Sequence, residues 1–319
     1  MPPTDRGNPG LSSGPARYPG TFLLAFREAL KGVNWQARRW RGDAVECLDA
    51  EGQEHVVGLE NLYRRVRGTE RTGWPELIGE CLARVRDAEK LGLTDVKLAD
   101  YADRLLVRFG PQFAERSNPI KVWWRPVDGT DLGVSLVIDQ AETMTYVTEE
   151  MIAGAGRPGD EWLERALANL RGRTPADCLE VVHEDSGLMV CSVGDAYDSS
   201  RALLLEGLLP DAAPAGLLTA IPSRDELLVL PVTLKGMPHI HVLKLLAVKN
   251  YKQAPYPISD MLYWVRSGAW RPFPVEIRKE EVAIRPPAEF IEILNQLAPD
   301  RATADPENST EDEDPLQEA

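Results

Sequence analysis

No run of about 18 consecutive apolar residues occurs anywhere in this 319-residue chain, so the sequence offers no membrane-spanning helix. Residues 1–20 are rich in Pro, Gly and Ser and lack the apolar stretch of a secretory signal. Cysteine is scarce too. Cys47, Cys81, Cys178 and Cys191 stand singly, without the close pairs that zinc ribbons and redox sites need, and read as buried thiols in a reducing, cytoplasmic compartment. Also missing are the glycine-rich dinucleotide fingerprint, the phosphate loop, His-Glu-x-x-His and Cys-x-x-Cys. These absences leave no named reaction, no metal and no cofactor in the reading.

What the chain does have is an apolar fraction of 43%, enough for well-buried cores in a protein long enough for two domains. Its net charge is −14, but Asp305, Glu307, Glu311, Asp312, Glu313, Asp314 and Glu318 follow Arg301 with no basic residue among them and carry half of that excess. The remainder is only mildly acidic, which argues against a nucleic-acid partner and for no other in particular. Residues 1–19 and 301–319 lack apolar periodicity and are expected to be disordered, the second as an acidic tail.

Between them the pattern predicts a small α+β unit over 20–115 and a larger one over 116–300. Phe22, Leu23, Phe26, Ala29 and Leu30 fall on one helical face, and residues 35–40, 44–49 and 55–59 then form a three-stranded antiparallel meander turned at Gly42-Asp43 and Glu51-Gly52. Leu77, Ile78, Cys81, Leu82 and Val85 mark a helix opened by Pro75, and Leu98, Tyr101, Ala102 and Leu105 mark a further apolar stripe. The larger unit begins with a hairpin, 120–127 and 132–139, and a short strand at 144–147. A helix capped by Thr148 follows, then one opened by Pro158 and Asp160 that buries Trp162, Leu163, Ala166, Leu167 and Leu170. Residues 178–182 and 188–193 make another hairpin. Residues 217–221, 227–231 and 239–248 read as strands, and Phe290, Ile293, Leu294 and Leu297 close the body with a helix. Strands and helices do not alternate regularly, so the class is α+β, with a mixed or antiparallel larger sheet.

Two polar turns stand out among these apolar strands. Asp195, Asp198, Ser199, Ser200 and Arg201 lie in one, and Arg224 and Asp225 follow Ser223 in the other. Asp195, Asp198 and Asp225 can pair with Arg201 and Arg224 and fix the turns together, with Asp198 or Ser199 capping a short helix. The functional alternative is an anionic or peptide-like ligand held by Arg201 and Arg224 beside Ser199 and Ser200. His239-Ile240-His241, read as strand, puts two imidazoles on one face, too few for a metal site. Arg38, Arg39, Arg41, Arg64, Arg65, Arg67 and Arg71, near Trp35 and Trp40, are interspersed with glutamates and read as solvated mixed-charge surface.

On these residues part of the chain resembles the bacterial family of unknown function that includes the YtpQ proteins. The likeness lies in the helical pair from Thr148 to Ala168-Asn169-Leu170, in Asp195-Ala196-Tyr197-Asp198-Ser199-Ser200-Arg201, in Ala220-Ile221-Pro222-Ser223-Arg224-Asp225, and in Gly58-Leu59-Glu60-Asn61-Leu62-Tyr63. It covers about half of the body and leaves out both termini and residues 263–270. The resemblance implies a site at the two polar turns, and the family has no established activity to carry over.

Two functions remain. The first is a non-catalytic binding or regulatory protein with a protein or peptide partner, in which Tyr256, Tyr263, Trp264 and Trp270, among prolines, supply an interaction surface or else complete the second core. The second is a hydrolase or transferase acting on an anionic substrate at the two turns, with Asp198 or Asp225 as general base and Arg201 or Arg224 as anchor.

Overall fold

Helix α1 (Gly20–Gly32) turns Phe22, Ala25, Phe26, Ala29 and Leu30 inward, as its three-to-four spacing requires. In the computed structural model, which describes residues 18–41, 44–90, 97–111, 121–140, 144–212, 214–277 and 282–298, this face packs on an antiparallel meander. The meander consists of β1 (Gln36–Arg41), β2 (Ala44–Leu48) and β3 (Glu54–Gly58), followed by α2 (Leu59–Val66) and α3 (Trp74–Lys90). Tyr18 is buried against the rings of Phe22 and Tyr63, so this core begins before residue 20. Residues 1–17 and 301–319, the greater part of the expected disordered ends, lie outside the described residues.

The stripe at Leu98–Leu105 is not a helix of the first unit. Leu98–Arg104 is a 3₁₀ segment that straightens into β4 (Leu105–Pro111), and β4 pairs along its whole length with β6 (Leu132–Asp139). Among the described residues the buried members of the first core run from Tyr18 to Leu82, whereas Leu98, Leu105, Val107 and Phe109 belong to the next, because a strand's partner, and not its position in the chain, assigns it to a core.

β5 (Trp124–Pro126) and β7 (Met144–Tyr146) also join β6. Thr148 caps α4 (Glu149–Gly154), its hydroxyl accepting the Met151 N–H at 3.2 Å. Helix α5 (Gly159–Arg173) then buries Trp162, Ala166 and Leu170, with Leu163 and Leu167 partly covered. The larger sheet has six strands in the order β13-β12-β10-β11-β9-β8, every neighbouring pair antiparallel. Its members are β8 (Leu179–His183), β9 (Leu188–Cys191), β10 (Leu217–Ser223), β11 (Glu226–Pro231), β12 (Leu262–Arg266) and β13 (Ala269–Pro272).

Alternate residues of this sheet feed two cores. Leu217, Ile221, Leu227, Val229 and Tyr263 face β4, β6 and α5, while Leu218, Ala220, Leu228, Leu230 and Trp264 face α7 (Ile240–Gln253) and α8 (Ala288–Leu297). A short helix α6 (Leu205–Leu208) and a ribbon of β14 (Val275–Ile277) and β15 (Val282–Ile284) complete the described structure. Residues 239–248 are thus largely helix α7 and not strand. Ile240, Leu243, Lys244 and Ala247 are its buried positions, a 3.6-residue period that the β-branched and His residues obscure in the sequence. Among the described residues no helix is long and apolar enough to cross a membrane.

Candidate functional site

After β9 the chain folds back through Gly194 and Ala196, both with positive φ (82° and 69°). Glycine adopts this conformation freely; at Ala196 it is held by an Asx turn, in which Asp195 Oδ1 accepts the Tyr197 N–H at 3.1 Å. The fold-back aims Asp195 and Asp198 at Arg201, which lies in the 3₁₀ segment Ser199–Leu204. Arg201 grips Asp195 through two hydrogen bonds of 2.9 and 2.7 Å and reaches Asp198 at 3.2 Å. Asp198 does not cap the helix. Its carboxylate turns back to accept the N–H groups of Val193 (2.7 Å) and Gly194 (3.0 Å), and the Cys191 thiol lies 3.5 Å away.

The two serines are spent differently. Ser200 Oγ accepts the Phe109 N–H at 3.2 Å and so ties the node to β4, while Ser199 Oγ is buried and has no hydrogen-bond partner among the described residues. Three residues that local spacing did not single out surround the node. Arg173, at the end of α5, bonds Asp139, approaches Asp195 at 3.4 Å and lies over the Tyr197 ring, and Tyr197 donates to Asp139 at 3.0 Å. No local pattern joins Asp139, Arg173 and Tyr197, because each comes from a different element.

The acid–guanidinium pairs expected from the sequence form, but within each turn. Arg224 clasps its neighbour Asp225 at 2.6 and 3.0 Å and stacks 4.0 Å from the Tyr256 ring centre. The two turns meet through the backbone, with Ser199 N–H donating to the Arg224 carbonyl at 3.2 Å. Burial raises the pKa of the Asp195 carboxyl, but the hydrogen bonds from Arg201 and the Tyr197 N–H, with the charges of Arg201 and Arg173, outweigh it and hold the group below its ordinary value. Burial pushes the Cys191 thiol up to about 12 and raises Cys178 as well, so neither is a ready nucleophile.

Water does not reach the centre of this node. The side chains of Arg201 and Asp198 are both 0% exposed, and no substrate can touch them without unfolding the loop. No protein-family model, curated protein or solved structure matches this chain.

The other sequence candidates also move. Tyr263 and Trp264 are 1% and 0% exposed and belong to the two cores, since β12 is an inner strand of the six-stranded sheet; neither is interaction surface. Trp270 is partly buried against Phe109 and Tyr263, and Tyr256 is covered by Arg224. His239 and His241 stand at the start of α7, each ring facing a backbone carbonyl, of Lys235 and Pro238 respectively. Among the described residues no three His, Cys, Asp or Glu side chains converge as metal ligands. In the first unit Trp35 stacks on His55, Trp40 packs near Phe26, and Arg64 and Arg67 donate to carbonyls at the end of α7.

Two hollows remain. The larger, about 550 Å³, lies between the end of α5, residues 202–208 and the β12–β13 hairpin. Its polar groups are largely engaged: Glu206 accepts the Gly268 N–H at 3.0 Å, and the Thr174 hydroxyl donates to the Leu170 carbonyl at 2.7 Å. The smaller, about 170 Å³, lies on one face of the β8–β9 hairpin. Outside that hollow β8, the last strand of its sheet, exposes Val181 and Val182 at 50% and 51%. This apolar edge left no mark as a site in the sequence, where residues 178–182 read simply as one arm of a hairpin.

Proposed function

We propose that this protein works by binding and not by catalysis, and that it takes up an extended segment of a protein or peptide partner along β8. One observation carries the reading: an edge strand with half-exposed valines, in a molecule whose polar node has Arg201 and Asp198, at its centre, sealed from solvent. An edge strand presents unpaired N–H and C=O groups in a row, and an extended peptide satisfies them by adding one more strand. The buried node supports this role by anchoring the loop that leaves β9, so that the edge is presented on a fixed frame.

The test is a photo-crosslinking residue placed at Val182 in the full-length chain in cells, with Glu164 on the exposed face of α5 as control. A defined partner adduct at 182 and none at 164 is the expected result. Equal adducts at both positions, or none at 182, would remove β8 as the binding edge.

A further inference from the structure

We infer that the segment taken up by β8 carries a lysine or arginine that enters the hollow beside Glu180, an inference that rests on the proposed role of β8. Pairing of β8 with β9 runs from Leu179 to Val181 and is then broken by a bulge before His183, which leaves Val182 without an opposite residue. The regular free edge is thus short, and so few backbone bonds give little discrimination between partners. Selectivity has to come from side chains.

Those side chains have a definite character. Cys178, just before β8, and Glu180 within it both line the 170 Å³ hollow, as residues two apart on an extended chain do. It is smaller than the roughly 300–1,000 Å³ of small-molecule pockets and suits a single side chain. Pro175, Val190 and Val193 give it aliphatic walls, and Asp177, Glu180 and Ser192 give it polar ones. Neither Asp177 nor Glu180 pairs with a cation among the described residues. A long aliphatic stem ending in a positive charge fits such a lining at both ends.

A second copy of the chain does not. Two β8 edges laid together would bring Asp177, Glu180, Glu184 and Asp185 of both copies to one seam, and like charges facing each other across strands are destabilising. The face bearing Val181 in turn favours an apolar residue, so the bound segment alternates basic and apolar positions.

The experiment titrates the full-length protein with three capped nonapeptides of one alternating apolar pattern, whose other positions are all Lys, all Gln or all Glu. The Lys peptide is expected to bind at least tenfold more tightly than the Gln peptide, and the Glu peptide weakest. Glu180→Lys, at an exposed position and checked for an unchanged unfolding midpoint, is expected to reverse that order. If Lys and Gln peptides bind alike and Glu180→Lys changes nothing, the charge inference is overturned; slowed amide exchange at 179–182 with the Gln peptide would then still uphold strand addition. If none of the three binds, strand addition along β8 fails with it.

Discussion

Arg201 is the residue on which the polar node turns. A guanidinium with no exposed surface, between Asp195 and Asp198, has exchanged its hydration for two carboxylates, and removing it strands the fully buried Asp198 and takes from the 17% exposed Asp195 its two hydrogen bonds. Arg201→Met should cost about 3–5 kcal/mol in urea unfolding. Arg224→Met should cost about 1 kcal/mol or less, because that side chain is 20% exposed and its pairing partner is the adjacent Asp225. Similar losses for the two variants would contradict the assignment of one pair to the interior and the other to the rim. Asp195 adds a pH dependence. Its folded pKa lies below its unfolded value, so its contribution is complete above the unfolded value near 3.8 and fades as pH falls through the lower, folded one. Asp195→Asn should therefore be clearly less stable than the parent at pH 7, with the gap narrowing on acidification below that value. A gap that stays constant from pH 7 to pH 2 would show that the carboxylate is not held by Arg201.

At the scale of elements, the sequence shows most clearly what local chemistry determines. Thr148 and the helix it caps, the meander after α1 and the hairpin into β6 depend on turn residues and spacing within a few positions, and all are present. Two elements hide because distant partners decide them. β4 is a strand through its pairing with β6 across an intervening segment, and α7 is a helix because its buried residues match the apolar face of β10 and β11. The site followed the same rule. Asp195, Asp198 and Arg201 are visible as a polar turn because they are neighbours in the chain, whereas Asp139 and Arg173 join them only through folding. The aromatic stretch at 263–273 misleads for a related reason: tyrosine and tryptophan suit an interface and a core equally well, and only sheet order shows that β12 is covered on both faces.

In the whole molecule, the core of residues 18–82 shares no member with the cores that follow Leu98. A clasp of arginines connects them. Arg64 donates to the carbonyls of Tyr251 (2.9 Å) and Ala254 (3.2 Å), and Arg67 to those of Lys252 (2.8 Å) and Gln253 (2.6 Å). The last carbonyls of α7 lack partners within the helix and carry its negative dipole end, so two guanidinium groups both satisfy and neutralise them. Arg67 is exposed, and solvent screens its share, which puts the clasp at about 1–3 kcal/mol in all. Arg64→Ala with Arg67→Ala should let the first core unfold at lower denaturant while leaving the six-stranded sheet near its original midpoint. Hydrogen exchange followed through a urea series would show residues 22–82 losing protection earlier, with faster exchange at 250–254. If the spacing between the two losses of protection is the same with and without the arginines, the clasp does not couple the cores.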